Sequence, residues 1–349
     1  MPVVEPNESR RVLVTGANGY IAMWIIQSLL EHGYLVRGTV RSEEKGKGLT
    51  KFFSSYGSLF EWVIIEDITK NGAFDEAVRE VDAIEHVASP LGSLTGELDD
   101  YIQPAVNGTR GILESAREYG TSVKRIVITS SGGAIVGKVT KPGSVFDETN
   151  WGDYAVQIAN SQGKNAAVAM KYSASKTLAE RAAWDFYTQC KSEVGWDLVS
   201  LNPSLVLGPT LQDISTPADL SSSLAIWWDH IKNEKADKFL KHSFPFVDVR
   251  DTAAAHVAAL QETEAGGERI IISSGMEVVR LLCDTLSISH PELYTAGILP
   301  RGNPKVDYGP VLYDFNSDKG KRILGIKYRP IEVLMDDTLE DFKTRGWLA

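Results

Sequence analysis

The sequence predicts an α/β fold, a doubly wound parallel sheet with a smaller C-terminal lobe, and three observations carry that expectation. Short β-branched runs alternate with longer segments of helical periodicity from the N-terminus to about residue 201. The runs are near-continuously apolar, as in strands covered on both faces. A glycine-rich turn joins the first run to the first helical segment.

In chain order, strands are expected at residues 11–15 (RVLVT), 34–40 (YLVRGTV), 61–66 (EWVIIE), 83–88 (AIEHVA), 125–129 (RIVIT) and 196–201 (WDLVSL). Apolar positions at helical spacing fall at 21–32, 74–80, 100–119 and 172–191. This alternation implies parallel βαβ units, because parallel neighbours need a crossover long enough to hold a helix. After Asn202-Pro203 the regularity falls. A stretch rich in Ser, Pro and Asp at 208–223 leads to a helical segment with Trp227 and Trp228. Strand-like FPFVDV (244–249), helical 251–262 and strand-like 269–273 follow. We read residues 244–274 as returning to the main sheet. The expected domains are then 1–203 plus 244–274, and a lobe of 204–243 plus 275–349 over the strand C-termini, where open α/β sheets bind ligands.

The 349 residues are 43% hydrophobic and 23% charged, the composition of an ordinary globular protein. A net charge of −10 argues against nucleic acid or an anionic membrane surface as partner, since both are bound through dense Lys/Arg patches. The opening MPVVEPNESRR has no long apolar run, and no stretch nears the ~20 apolar residues of a spanning helix, so a cytoplasmic location is expected. Cys190 and Cys283 lie far apart in no C-x-x-C pattern. They read as packing residues, with no metal site or disulfide.

The sharpest motif is VTGANGYIA at 14–22, between the first strand and the first helix. Gly16 permits a tight turn, Gly19 lets the backbone approach a pyrophosphate, and small Ala22 permits close helix–strand packing. Gly16, Asn18, Gly19, Tyr20 and Ile21 are therefore expected to contact a dinucleotide in a Rossmann-type domain. The second strand ends at Val40-Arg41 instead of on an acid that would bind the ribose of NAD. A guanidinium matches a 2′-phosphate with parallel charge-assisted bonds, so Arg41 with Lys45 or Lys47 favours NADPH/NADP+. Asp67 is placed either to accept from the adenine amino group or to cap its own loop, with Ile68 covering the ring. Val87, Ala88 and Ser89 end the fourth strand where the cofactor must pass, and His86 reads as a core histidine.

Tyr172-Ser-Ala-Ser-Lys176 is expected to open a helix, its i, i+4 spacing placing phenol and ammonium on one face. Carbonyl reduction needs a proton donor for the developing alkoxide. A phenol is a reluctant donor near neutral pH unless a nearby cation favours its phenolate. Thr129-Ser130-Ser131-Gly132-Gly133 ends a strand 41 residues before Tyr172. A hydroxyl there can orient the substrate oxygen, and Ser131 is favoured over Ser130 because it should emerge past the strand edge.

Together these residues resemble the extended short-chain dehydrogenase/reductases, and within them the group of dihydroflavonol reductases, cinnamoyl-CoA reductases and fungal aldehyde, ketone and methylglyoxal reductases. The resemblance spans nearly the whole chain. It rests on LVTGANGYIA (13–22), HGYLVRGTVRS (32–42), VKRIVITSS (123–131), YSASKTLAERAAW (172–184), LNPSLVLGP (201–209) and FVDVRDTAAAHVAAL (246–260). It implies an NADPH-dependent carbonyl reductase with Ser131, Tyr172 and Lys176 as catalytic triad, Lys176 also holding the nicotinamide ribose. Pro203, Ser204 and Leu205 would line the nicotinamide side. Val136 stands where dihydroflavonol reductases carry an asparagine or aspartate, and KNAAVAMKY (164–172) replaces the N-W-Y-C-type run of cinnamoyl-CoA reductases. The chain thus looks closest to the fungal carbonyl reductases.

The expected partner is a small-molecule carbonyl compound, with the protein a monomer or homodimer. An apolar cleft is expected from residues 132–136 and from Leu224, Ile226, Trp227 and Trp228, unless the tryptophans form the core of the small lobe. Two other readings share the scaffold: a nucleotide-sugar epimerase or dehydratase, which normally retains NAD, and a non-catalytic NADP(H) sensor, which usually lacks the tyrosine and lysine.

Overall fold

The protein is described by a computed structural model over residues 3–7, 9–89, 96–220, 222–300 and 302–348. The chain opens with β1 (Arg11–Val14), α1 (Tyr20–Glu31), β2 (Leu35–Val40), α2 (Glu43–Phe52) and β3 (Phe60–Ile64). It continues through β4 (Ala83–His86), α3 (Asp99–Tyr119), β5 (Arg125–Thr129), β6 (Ser144–Phe146), α4 (Asp153–Gln162), α5 (Val168–Cys190) and β7 (Asp197–Pro203). The remainder is β8 (Leu205–Leu207), α6 (Ser222–Lys232), α7 (Asp237–Leu240), β9 (Ser243–Asp248), α8 (Val249–Gln261), β10 (Arg269–Ile272) and β11 (Gly275–Val278). It closes with α9 (Val279–Ser289), α10 (Pro291–Thr295), β12 (Tyr313–Phe315), α11 (Asp318–Leu324) and α12 (Ile331–Thr344).

Seven parallel strands form the main sheet in the order β10-β7-β5-β4-β1-β2-β3. Helices α1 and α8 pack against each other on one face, and α3 against α5 on the other. Burial on both faces explains the continuous apolar runs: Val12, Leu13 and Val14 of β1 are fully buried, as are Ile126 and Val127 of β5. Each such side chain contributes roughly 1.5–3 kcal/mol of transfer free energy. The strand order reverses between β1 and β4, and the loops leaving these two strands form the crevice where such sheets bind ligands.

Three expectations need correcting. The strand near residues 244–249 does not rejoin the main sheet. The position beside β7 is taken by β10, with Ile270 opposite Leu201, so β9 pairs with β8 and β11 in a separate three-stranded sheet. Periodicity reveals a strand but not its partner. Residues 74–80 form turns rather than a helix, with mixed i−3 and i−4 bonds and Glu80 at φ +56°. The triad helix opens at Val168, so Tyr172 lies one turn inside it rather than at its start.

Trp227 is 1% exposed in the small-lobe core with Leu207, Phe246, Leu282, Leu334 and Phe342, which is the packing alternative and not a cleft wall. Trp228 is half-buried against Phe342 and Trp347, Leu224 is buried, and Ile226 is exposed. Sequence periodicity also missed α2, whose buried positions are only Gly46 and Leu49.

Candidate active site

The turn after β1 is built by backbone requirements. Gly16 has φ +66°, and a Cβ there would lie 3.1 Å from the Ala88 Cα, so only glycine lets the β1 and β4 loops approach this closely. Thr15 Oγ1 accepts the amides of Val87 and Ala88, both at 3.0 Å, which locks the two loops together. Gly19 precedes α1, and that helix end has no side-chain cap and no acid in its first turn. Its amides and positive dipole end are therefore free for an anion.

The other residues of this motif divide between side-chain and backbone roles. The Tyr20 hydroxyl donates to the Gly208 carbonyl at 2.9 Å, and burial first, then Asp248 and Asp341, push it well above the ordinary tyrosine range. Its side chain is thus engaged in the loop after β8, leaving its backbone for a ligand. Asn18 offers its carbonyl to Gln212 Nε2 at 2.8 Å. Ile21 is half-buried in the first turn.

At the end of β2, Arg41 is exposed and makes no hydrogen bond or ion pair among the described residues, though its charge acts on Asp67. Lys47 pairs with Glu43 at 2.9 Å, whereas Lys45 meets no side-chain partner there, so Lys45 is the better complement to Arg41. Asp67 adopts its loop-capping role: Oδ1 accepts from Thr69 Oγ1 at 2.6 Å and Thr69 N at 2.9 Å. These bonds lower its pKa. Ile68 is buried beside α3, where a Cβ on Gly108 would touch its side chain.

Beyond β5, the two serines separate as their positions on the strand end suggested. Ser130 is buried and donates to Glu180 Oε2 at 2.5 Å, while half-buried Ser131 caps the next turn by accepting Gly133 N at 3.0 Å. Tyr172 and Lys176 sit half-buried one turn apart on α5. The Tyr172 hydroxyl meets no hydrogen-bond partner among the described residues, and Lys176 Nζ donates to the Thr129 carbonyl at 3.4 Å. Ala88, Ser89, Thr129, Ser130 and Lys176 line one hollow. Pro203 and Ser204 are buried and Leu205 half-buried where β7 passes into β8, and Ser204 Oγ has no hydrogen-bond partner among the described residues. An uncapped helix N-terminus after β1, an exposed guanidinium at the end of β2 and a buried Ser204 hydroxyl with no partner among the described residues suit a dinucleotide carrying a 2′-phosphate.

Several residues beneath this site escaped sequence reasoning. Fully buried His256 sits 2.6 Å from Glu85 Oε2 through Nδ1 and 3.1 Å from Thr129 Oγ1 through Nε2. Burial raises the Glu85 carboxyl, with His256 opposing it. His86 is a core residue as expected: burial first, then Lys176, push its pKa down to about 3, and Thr15 Oγ1 lies 3.0 Å from its Nδ1. Glu180, four residues past Lys176, gathers donors from three other elements. Its only sequence signal is an acid among Ala179 and Ala183 on a buried helix face.

Proteins similar to this chain include several reductases. The chain is 35% identical over 338 residues to the ketoreductase azaE of Aspergillus niger, covering 95% of this chain and 97% of that protein. It is 33% identical over 337 residues to the NADPH-dependent methylglyoxal reductase GRE2 of Saccharomyces cerevisiae, covering 94% and 96%. The solved yeast methylglyoxal/isovaleraldehyde reductase Gre2 complexed with NADPH superposes with a TM-score of 0.85 at 31% identity, over 97% of this chain and 99% of that one. The model of the NAD dependent epimerase/dehydratase family matches residues 12–273, and with relatives this similar over nearly its whole length, the chain belongs to that family.

Proposed function

We propose that Ser131, Tyr172 and Lys176 carry out the reduction of aldehydes and ketones to alcohols, with Tyr172 as proton donor. The activity class is that of an NADPH-dependent carbonyl reductase, and the epimerase or dehydratase alternative is not favoured, since the similar proteins are reductases. The observation that supports the residue assignment is a Tyr172 hydroxyl without a hydrogen-bond partner among the described residues, one helical turn from Lys176 on a helix that packs against the turn Ser131 caps. NADPH, when bound, supplies the hydride to the carbonyl carbon. The Ser131 and Tyr172 hydroxyls hold the carbonyl oxygen, and the phenol gives its proton to that oxygen as charge develops there. The Lys176 ammonium, tethered to the Thr129 carbonyl, stabilises the phenolate left behind. Solvent then returns the proton to the phenolate.

In this reading Gly16, Gly19 and the first turn of α1 hold the pyrophosphate, and Arg41 with Lys45 holds the 2′-phosphate. Val87, Ala88, Ser89, Pro203, Ser204 and Leu205 pass along the nicotinamide half, with Ile68 at the adenine and Asp67 shaping the loop beside it through its bonds to Thr69. Arg41→Ala is expected to raise the KM for NADPH by about tenfold or more, the loss of ~1.5–3 kcal/mol for hydrogen bonds to a charged group. Kinetics with NADH should be almost unchanged. Equal losses with both cofactors would show structural damage instead.

Substrate choice follows from two cations next to the triad helix, Lys171 and Arg269, which are already engaged. Buried Lys171 donates to the carbonyls of Gly96 at 2.7 Å and Lys164 at 3.1 Å. Arg269 pairs with Glu180 at 2.6 Å and stacks on Trp151. Among the described residues neither of these cations is free for a substrate carboxylate, so an α-ketoester should be reduced with higher kcat/KM than its parent keto acid. A matched pair checks this, and a faster acid would contradict it. The same reading has the enzyme acting in the cytoplasm, as a monomer or homodimer, on a small carbonyl compound. Its net charge of −10 supports the absence of nucleic-acid or anionic membrane partners.

A further inference from the structure

We propose that Glu180 is a positioning residue for the reduction, its buried carboxylate holding the Ser131 strand end in register with the helix that carries Tyr172 and Lys176. The inference rests on the triad assigned above. Glu180 is 1% exposed and lies on α5 one turn past Lys176. Its Oε2 accepts from Ser130 Oγ at 2.5 Å and from Asn202 Nδ2 at 2.8 Å. Its Oε1 accepts from Arg269 Nε at 2.6 Å, Ser200 Oγ at 2.8 Å and Trp184 Nε1 at 3.4 Å. Asn202 Nδ2 also reaches the Ser131 carbonyl at 3.2 Å.

One carboxylate therefore ties the end of β5, two residues of β7 and the first residue of β10 to the triad helix. The two oxygens serve different ends. Oε1 faces Arg269 and the outer part of the cluster, whereas Oε2 holds the residue before Ser131 and the amide that grips the Ser131 backbone. An apolar side chain could join helix to sheet without burying a charge, and buried ion pairs often add little net stability over such packing. What the carboxylate supplies is direction: short charge-assisted bonds fix Ser130 and Asn202, and through them the place where the Ser131 hydroxyl emerges. Fixing a reacting group in this way matters for rate, because a displacement of about 1 Å can cost ~10²-fold.

Glu180→Gln is nearly isosteric and tests the claim. Its single carbonyl oxygen must face Arg269 and Ser200, so its Nε2 turns toward Asn202 Nδ2 and two donors are opposed. The Ser130 hydroxyl can rotate to accept, but the grip on Asn202 is lost. The expected result is a kcat reduced about tenfold to a hundredfold, with the NADPH Kd, read by fluorescence titration, within about twofold of wild type. The primary isotope effect on kcat, measured with NADPH deuterated at the transferred position, should rise as the chemical step becomes slower. Glu180→Gln/Asn202→Asp restores an acceptor opposite the amide and the charge of the cluster, but it leaves the Ser131 carbonyl without its donor. Stability should recover in this double variant while kcat stays low. Recovery of kcat along with stability would overturn the positioning role and leave a structural one.

Should Glu180→Gln fail to fold, Asn202→Ala cuts the same link while leaving the Glu180–Arg269 pair intact. It should lower kcat with an unchanged NADPH Kd, and a wild-type kcat would overturn the proposal. Tyr172→Phe in the same assay separates the two levels of inference. An active Tyr172→Phe variant means the triad assignment has failed, whereas an inactive one beside fully active Glu180→Gln and Asn202→Ala means only the role of Glu180 has.

Discussion

Tyr172→Phe is expected to lower kcat by ~10²–10⁴-fold, the usual contribution of a positioned general acid, while folding and NADPH affinity stay near wild type. The substitution removes one oxygen and no described hydrogen bond, because the Tyr172 hydroxyl meets no hydrogen-bond partner among the described residues. Helix α5 and its packing on α3 should be undisturbed. Circular dichroism, NADPH titration and single-turnover reduction of an aryl ketone would measure the three quantities separately. Retention of more than about a tenth of wild-type kcat is incompatible with general-acid catalysis by this phenol. Lys176→Ala should differ by damaging both turnover and cofactor binding.

Asp197→Ala is expected to give the largest stability loss, about 3–5 kcal/mol, by leaving a buried guanidinium without its counter-ion. Arg125 is fully buried at the start of β5. Its Nε and a terminal nitrogen reach the two oxygens of Asp197 at 2.6 and 2.7 Å, and its other nitrogen donates to the carbonyls of Ala259 and Glu262. The pair thus joins two central strands to the end of α8. Asp197 is 30% exposed, so water can reach part of the vacated space and the low end of the range is the better figure. Urea unfolding should show a lower midpoint with an unchanged slope. Replacing both members with apolar residues of similar volume should return most of the loss. A single variant that unfolds at the wild-type midpoint would mean that the two carbonyls suffice for Arg125.

The parts of this protein that could be read from sequence are those written locally. The Gly16 turn needs a backbone that other residues strain to adopt, and the i, i+4 pair Tyr172 and Lys176 shares a helix face wherever that helix begins. The main-sheet strands announced themselves because burial on both faces requires unbroken apolar runs. The weakly patterned α2 escaped notice because it buries only Gly46 and Leu49, and its interior glycines lower helix propensity. The small lobe was the least legible region. Trp227 looks the same in sequence whether it walls a cleft or fills a core, and only its neighbours Phe246, Leu282 and Phe342 decide for the core.

Sequence by itself determined the α/β class, the glycine turn after β1, the basic end of β2, and the order of serine, tyrosine and lysine. Each depends on a periodicity, a backbone conformation or a spacing carried within one or two elements. Tertiary structure alone decided that β9 leaves the main sheet, that Lys47 pairs with Glu43, and that Glu180 meets Asn202 and Arg269. It likewise brought Glu85 to His256, 171 positions away in the chain. Pairings of this kind depend on which strands become neighbours and which charges are already satisfied. Neither leaves a local trace, because the free energy of each contact is set by a partner that only the folded chain brings near.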